Sequence, residues 1–223
     1  MAIRVKRPLL CVFDLDGTLV DSLRDIAEAF NECLDLLGLN PRPVADYRYM
    51  VGEGVPKLCQ RALGRSHPHL VKRLIEIARP RYRIASLVHT KPYPGIPPLV
   101  DDLSRRSIQL AVLSNKPHDM TARIVRAFWP NNTFGVVQGY VREERRKPSP
   151  THLHEICETL SVAPADAWMI GDTPTDVLTA HHAGCSSIGV TWGFRRREDL
   201  EQASATRIID QPSELLELIE SSG

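Results

Sequence analysis

The stretch that most constrains this chain is residues 9–22, LLCVFDLDGTLVDS. The apolar run Leu9, Leu10, Cys11, Val12, Phe13 is short and lacks helical spacing, so it reads as a strand buried on both faces. It runs directly into Asp14, Leu15, Asp16, Gly17 and Thr18. Two carboxylates two residues apart on extended chain point the same way. A glycine straight after them lets the backbone turn sharply. Two like charges held this close need compensation, which a bound divalent cation or one shared proton would supply. An acidic turn without chemistry fits the same residues, so this stretch alone does not choose.

The second half of the chain changes the balance. Trp168, Met169 and Ile170 form another short apolar run, followed by Gly171, Asp172, Thr173, Pro174, Thr175 and Asp176. Between the two lies Leu110, Ala111, Val112, Leu113, a third apolar run, ending in Ser114 and Asn115. Lys147 stands in KPSP at the start of a helical segment. In an open parallel sheet, ligands collect at the carboxyl ends of strands. Two acids, a hydroxyl, a lysine and two more acids fall almost entirely at such ends or at helix starts. Singly, each has a plain structural use: Ser114 ends a strand, Lys147 extends the charged loop of Arg145 and Arg146, and Asp172 caps a helix.

The ordered set DLDGT, LSN, KPSP and GDTPTD resembles the four motifs of the haloacid dehalogenase-like hydrolases, over about residues 9–194. Within that superfamily, DGTLVDS, SNKP, KPSP, GDTPTDVLTAHHAGC and GVTWGFR look most like the phosphoglycolate phosphatase branch. The resemblance implies an aspartyl-phosphate mechanism. Asp14 would be the nucleophile, and Asp16 the proton donor to the leaving oxygen and later the activator of water. Asp14, the backbone carbonyl of Asp16, and Asp172 would hold Mg²⁺, with Asp176 supporting them from behind. Ser114 and Lys147 would bind the phosphoryl group, helped by backbone N–H groups at Leu15, Asp16 and Asn115.

Alternating strand and helix signals from Ile108 onward predict an α/β fold, a doubly wound parallel sheet with a Rossmann-like core. No strand signal appears between Val20 and Val88, where apolar residues recur at helical spacing. We therefore expect a core domain of residues 1–19 and 92–223 and a small all-helical cap domain of residues 20–91, inserted after the first strand. Ser22 and Asp25 look like a capping box, with Asp replacing the usual Glu. Pro80 is expected to kink or end its helix, and residues 91–95, KPYPG, to form a rigid return linker.

Formal net charge is +1 over 223 residues, with 25% charged, so no polyelectrolyte signal supports nucleic-acid binding. No apolar run reaches membrane-span length. The basic lead-in at residues 4–7 precedes an apolar run too short for a signal peptide, since it meets Asp14 at once. Five scattered Cys without C-x-x-C read as reduced thiols, which predicts a cytoplasmic protein. A monomer and a homodimer are both compatible with the sequence.

His67 with His69, His152 with His154, and the adjacent His181 and His182 have no zinc-like companions and read as surface or packing residues. Trp192 to Arg195 suits a partner surface or a tight packing turn, and Arg195, Arg196 and Arg197 a solvated face. Gly52, Glu53 and Gly54 with Lys57 are candidates to meet substrate from the cap side. The resulting expectation is a Mg²⁺-dependent phosphatase of a small phosphorylated metabolite, with phosphoglycolate the substrate named by the resemblance. A sugar phosphomutase, a pyrophosphatase and a non-catalytic binding module are the alternatives.

Overall fold

The computed structural model describes residues 6–130 and 132–222. Arg4 and Val5 of the basic lead-in lie outside the described residues. In chain order the regular elements are β1 (Leu10–Phe13), β2 (Val20–Asp21), α1 (Leu23–Leu36), α2 (Val55–Leu63), α3 (Val71–Ala85), β3 (Lys91–Pro92), α4 (Ile96–Arg105), β4 (Gln109–Pro117), α5 (His118–Phe128), β5 (Val136–Tyr140), α6 (Thr151–Thr159), β6 (Ala167–Gly171), α7 (Pro174–Ala183), β7 (Ser186–Val190), α8 (Arg197–Gln202), β8 (Arg207–Ile209) and α9 (Ser213–Ser221). Short 3₁₀ turns complete the connections, among them Val44–Tyr49.

Six strands form one parallel sheet in the order β5-β4-β1-β6-β7-β8. β1 is central and buried at all four positions. Its alternate residues face opposite helix layers, as the pleat requires. Cys11 and Phe13 pack with Leu99, Ile124 and Leu215 on one side. Leu10 and Val12 pack with Leu153, Ile156 and Ala180 on the other. This is the doubly wound core expected from the alternation. The chain leaves β1 toward β4 and β5, then returns to β6, β7 and β8. Strand order therefore reverses beside β1, the place where such sheets bind ligands. Asp14 follows β1, Asp172 follows β6, and Ser114 lies near the end of β4.

Residues 23–86 carry α1, α2 and α3 and build a second apolar cluster around Phe30, Leu34, Leu63 and Leu74. The cluster also takes in Met120 and Phe194 from the sheet-bearing part of the chain. The segments leading in and out pair as antiparallel strands, Val20 with Pro92 and Asp21 with Lys91. The return linker is thus a strand, and the two connections brace each other.

Local chemistry differs from expectation at several points. Ser22 stands at the N-cap of α1 but makes no capping bond; its hydroxyl donates to Asp16 Oδ1 at 2.5 Å. Asp25 is not a capping partner either. Its buried carboxylate accepts from the backbone of Val88 (3.1 Å), His89 (2.8 Å) and Thr90 (2.9 Å), and from the Thr90 hydroxyl (2.6 Å). It therefore fastens the chain just before β3. α3 runs through Pro80 without ending. Pro80 is exposed, so water can satisfy the carbonyl four residues back that loses its donor. α8 had no clear periodic signal, being six residues long with one buried position, Leu200.

Removing the Asp25 carboxylate leaves three backbone donors without their acceptor in a largely dry site. Asp25→Ala is expected to lower unfolding free energy by about 3 kcal/mol, read as a fall in urea midpoint. An unchanged midpoint would show that the contact is dispensable.

Candidate active site

Asp14, Asp172 and Asp176 each offer a carboxylate oxygen within 4.8 Å of the other two, and all three residues are buried. Asp176, expected to stand behind the set, supplies one of its three carboxylates. It sits at the third position of α7, where Oδ2 accepts from the Thr173 backbone (3.0 Å) and hydroxyl (2.7 Å). Thr173, not Asp172, is the N-cap. Asp172 accepts instead from Phe194 N–H at 2.8 Å and from the Thr18 hydroxyl at 3.2 Å. Two glycines permit this packing. A Cβ on Gly17, whose φ is +87°, would lie 2.3 Å from Asp172 Oδ2, and one on Gly193 would lie 2.3 Å from Asp172 Cβ.

Lys147 is the cation of this cluster. Its buried ammonium lies 2.9 Å from Asp14 Oδ1 and 2.6 Å from Asp176 Oδ1. Burial alone would depress Lys147, but the Asp14 and Asp176 charges prevail and raise it, so it stays protonated. Burial pushes Asp14 up to about 7, against the pull of Lys147 and with help from Asp176 and Asp16. Burial followed by the Asp176 and Asp14 charges pushes Asp172 up to about 8. Three oxygen-donor acids against one ammonium form a dry site deficient in positive charge. That donor set fits a hard divalent cation such as Mg²⁺.

Asn115 ties Lys147 in place. Its side chain accepts from Lys147 N–H at 2.8 Å and donates to Lys147 O and to Gly52 O, both at 3.0 Å. Leu15 N–H donates to Asp14 Oδ1 at 2.7 Å. Ser114 is buried and lines the same cavity as Asp14 and Asp16. The rest of that wall includes Ile26, Phe30, Val51, Val55, Leu58 and Tyr82, with Gly52 and Gly54. Lys57 is exposed and Glu53 turns away to Arg61, so only the glycines of that candidate loop line the cavity.

The Asp16 carboxylate is not gathered with the three acids. It is held at 2.8 and 2.7 Å by Lys116 Nζ, which also donates to the Tyr82 hydroxyl. Sequence reasoning quoted Lys116 inside SNKP and gave it no role. The usable signal was parity: on a strand, residues two apart share a face, so Lys116 follows Ser114. Tyr82 was missed because it lies in a helix far along the chain.

The other singled-out residues resolve structurally. His152 Nδ1 contacts Glu155 (2.9 Å), His154 meets Ala183 O (3.2 Å) and His182 meets Pro148 O (2.9 Å). Trp192 Nε1–H donates to Thr18 O at 3.0 Å and Phe194 is buried, which is the tight packing turn. Arg195 does not form a solvated face: its guanidinium donates to the carbonyls of Arg48 and, at 2.9 Å, Val51. Arg197 pairs with Asp210 through two 2.7 Å bonds.

The chain is similar to several known proteins. A model of the haloacid dehalogenase-like hydrolase family matches residues 11–190. The chain is 33% identical over 218 residues to a phosphoglycolate phosphatase of Psychrobacter arcticus, covering 94% of this chain and 95% of that protein. It is 34% identical over 200 residues to a phosphoglycolate phosphatase of Neisseria meningitidis, covering 87% and 85%. A crystal structure of a candidate phosphoglycolate phosphatase from Lactobacillus delbrueckii superposes with a TM-score of 0.89 at 30% identity, covering 98% of this chain and 99% of that one.

The raised carboxyls set a pH dependence with a definite sign. In the folded protein Asp14 and Asp172 hold protons more tightly than in the unfolded chain, so their contribution to stability is full at low pH and is lost as pH rises through about 7 and about 8. A divalent cation binds the ionised forms. Adding Mg²⁺ should therefore raise Tm more at about pH 8.5 than at about pH 6, read by thermal unfolding with and without EDTA. An equal or larger shift at the lower pH would contradict the assignment.

Proposed function

The chain belongs to the haloacid dehalogenase-like hydrolases, and on that premise we propose that it is a Mg²⁺-dependent phosphatase of a small phosphorylated metabolite, with phosphoglycolate first among candidates. The observation that carries the reading is the Lys147 ammonium bridging Asp14 and Asp176 beside Asp172, at the switch point of the sheet. The relatives named as phosphoglycolate phosphatases support the substrate.

Phosphoryl transfer needs an in-line nucleophile, positive charge around the equatorial oxygens and a proton source for the leaving oxygen. Asp14 is the nucleophile. Its neighbour Leu15 fixes one carboxylate oxygen by an N–H bond, leaving the other to attack phosphorus. The ester bond breaks as the Asp14–phosphoryl bond forms, and Asp16 delivers a proton to the departing oxygen. Asp16 then takes a proton from the water that attacks the aspartyl-phosphate, releasing phosphate and restoring Asp14. Lys147 and Ser114 hold the transferring group, with backbone N–H groups of Leu15, Asp16 and Asn115 as further donors. Asp14, Asp172 and Asp176, with the Asp16 carbonyl, would hold the Mg²⁺, which when bound offsets negative charge on the phosphoryl oxygens.

We assign the helical segment as a cap over this site. Ile26, Phe30, Val51, Val55 and Leu58 give the cavity an apolar roof, which excludes water from the intermediate. The paired linkers β2 and β3 form the hinge about which it opens.

Phosphate release over a panel of phosphorylated metabolites, with and without Mg²⁺, tests the activity. Asp14→Asn, nearly isosteric, should lower kcat at least about 1,000-fold while leaving the far-UV spectrum unchanged. Undiminished turnover would remove Asp14 from the mechanism. Asp16→Asn should slow alkyl esters far more than activated aryl esters, because only the poor leaving group needs a proton. Equal slowing would contradict the acid role.

A further inference from the structure

Lys116 is a buried cation with, among the described residues, one anion paired to it. Its side chain is 2% exposed. Its ammonium donates to both oxygens of Asp16 and to the Tyr82 hydroxyl, and lies 4.6 Å from the centre of the Tyr82 ring. Burial, with Asp16 and Asp25 nearby, holds the Tyr82 phenol well above its usual range, so Tyr82 stays neutral and supplies no counter-charge. Lys147 is committed to Asp14 and Asp176 on the phosphoryl side. Among the described residues, Lys116 is the single cationic residue lining the cavity beneath the apolar roof.

Asp16 cannot keep both oxygens on Lys116 and also face the leaving group. To act as the acid, Asp16 turns to the ester oxygen in its protonated, neutral form, and the desolvated ammonium then loses the one ion pair it makes among the described residues. An uncompensated buried charge is strongly unfavourable, so a ligand that brings its own anion to this spot is favoured over one that does not. The Asp16 oxygens sit one hydrogen bond from Lys116, at 2.8 and 2.7 Å. An anion that takes over Lys116 while Asp16 contacts the ester oxygen therefore lies next to that oxygen. A carboxylate on the carbon that bears the ester oxygen meets this requirement. A methyl or hydroxymethyl group there leaves the ammonium short of a partner, and the roof of Ile26, Phe30 and Val55 offers sugar hydroxyls nothing to bond.

We propose that Lys116 is the specificity-determining residue of this site, reading a carboxylate one carbon from the ester oxygen on the leaving-group side. The inference rests on the phosphatase reading and adds to it the substrate's second charge and the residue that senses it. Tyr82, from the helical segment, orients the ammonium, so the anchor is complete only when that segment lies over the core.

The test compares kcat/KM of the full-length protein with Mg²⁺ for 2-phosphoglycolate and ethyl phosphate, which carry a carboxylate or a methyl group on the same carbon. The wild type should prefer the carboxylate by roughly 100-fold or more, and Lys116→Met should reduce that ratio to below about tenfold, as expected when one partner of a buried charge contact is removed. Lys116→Arg, which keeps the charge, should retain part of the preference. Damage to the fold or to Asp16 lowers both substrates together and cancels in the ratio. Glycolate should also inhibit aryl phosphate turnover by the wild type and lose at least about tenfold in potency in Lys116→Met, while inhibition by inorganic phosphate moves by less than about threefold. A wild-type ratio near one, or a ratio untouched by Lys116→Met, overturns the proposal and leaves the phosphatase reading standing. If Lys116→Met does not fold, the wild-type ratio, glycolate inhibition and Lys116→Arg decide. Failure of the wild type to hydrolyse any ester, aryl phosphates included, removes both.

Discussion

The ammonium of Lys147, wedged between two buried carboxylates, is the interaction on which the rest of this structure depends. Asp14 comes from the end of β1 and Asp176 from the first turn of α7, 162 residues later in the chain. Without a cation between them, two buried acids beside a third would repel one another in a medium that screens poorly. Lys147 offsets one charge and leaves a surplus that suits a divalent ion and a phosphoryl group together. Asn115 locks this lysine by gripping its backbone on both sides of the peptide. The acids are raised rather than lowered because a single lysine does not repay their desolvation.

A second buried ion pair, Asp16 with Lys116, carries the same logic to the other side of the cavity. The two pairs divide the site into a phosphoryl half and a leaving-group half. The helical segment is attached to both. Asn115 donates to Gly52 O, Tyr82 receives Lys116, Arg48 donates to Gly193 O at 2.8 Å, and Arg195 reaches back to the carbonyls of Arg48 and Val51. Gly193 and Phe194 also touch Asp172. The residues that seat the segment over the core are thus next to the residues proposed for chemistry, which would couple closure to assembly of the site.

The fold was legible because strand ends and helix starts carry local signals. Each short apolar run ending in Asp, Ser or Gly became a sheet strand, and Gly184 stops α7 in a left-handed turn. Four scattered motifs met because a parallel sheet brings all its carboxyl ends to one edge. Long-range partnerships were not legible. Asp25 looked like a capping residue, but its acceptors serve backbone more than sixty residues away. Lys116 drew no role and Arg195 looked like part of a solvated face, because nothing local shows that their partners lie in another part of the chain. Pro80 was read as a kink or an end of its helix; the helix does not end there, because on the solvent face a missing donor is tolerated.

The central claim is that this buried charge network prepares Asp14 to accept a phosphoryl group. Acid-quenching the enzyme during turnover of a phosphate ester, then mapping its peptides by mass spectrometry, addresses it directly. The account predicts an acid-stable quenched adduct, one phosphoryl group heavier, on the peptide containing Asp14 and absent in the presence of EDTA. A phosphorylated peptide elsewhere, or rapid turnover with single-step inversion at phosphorus and no adduct, would contradict it.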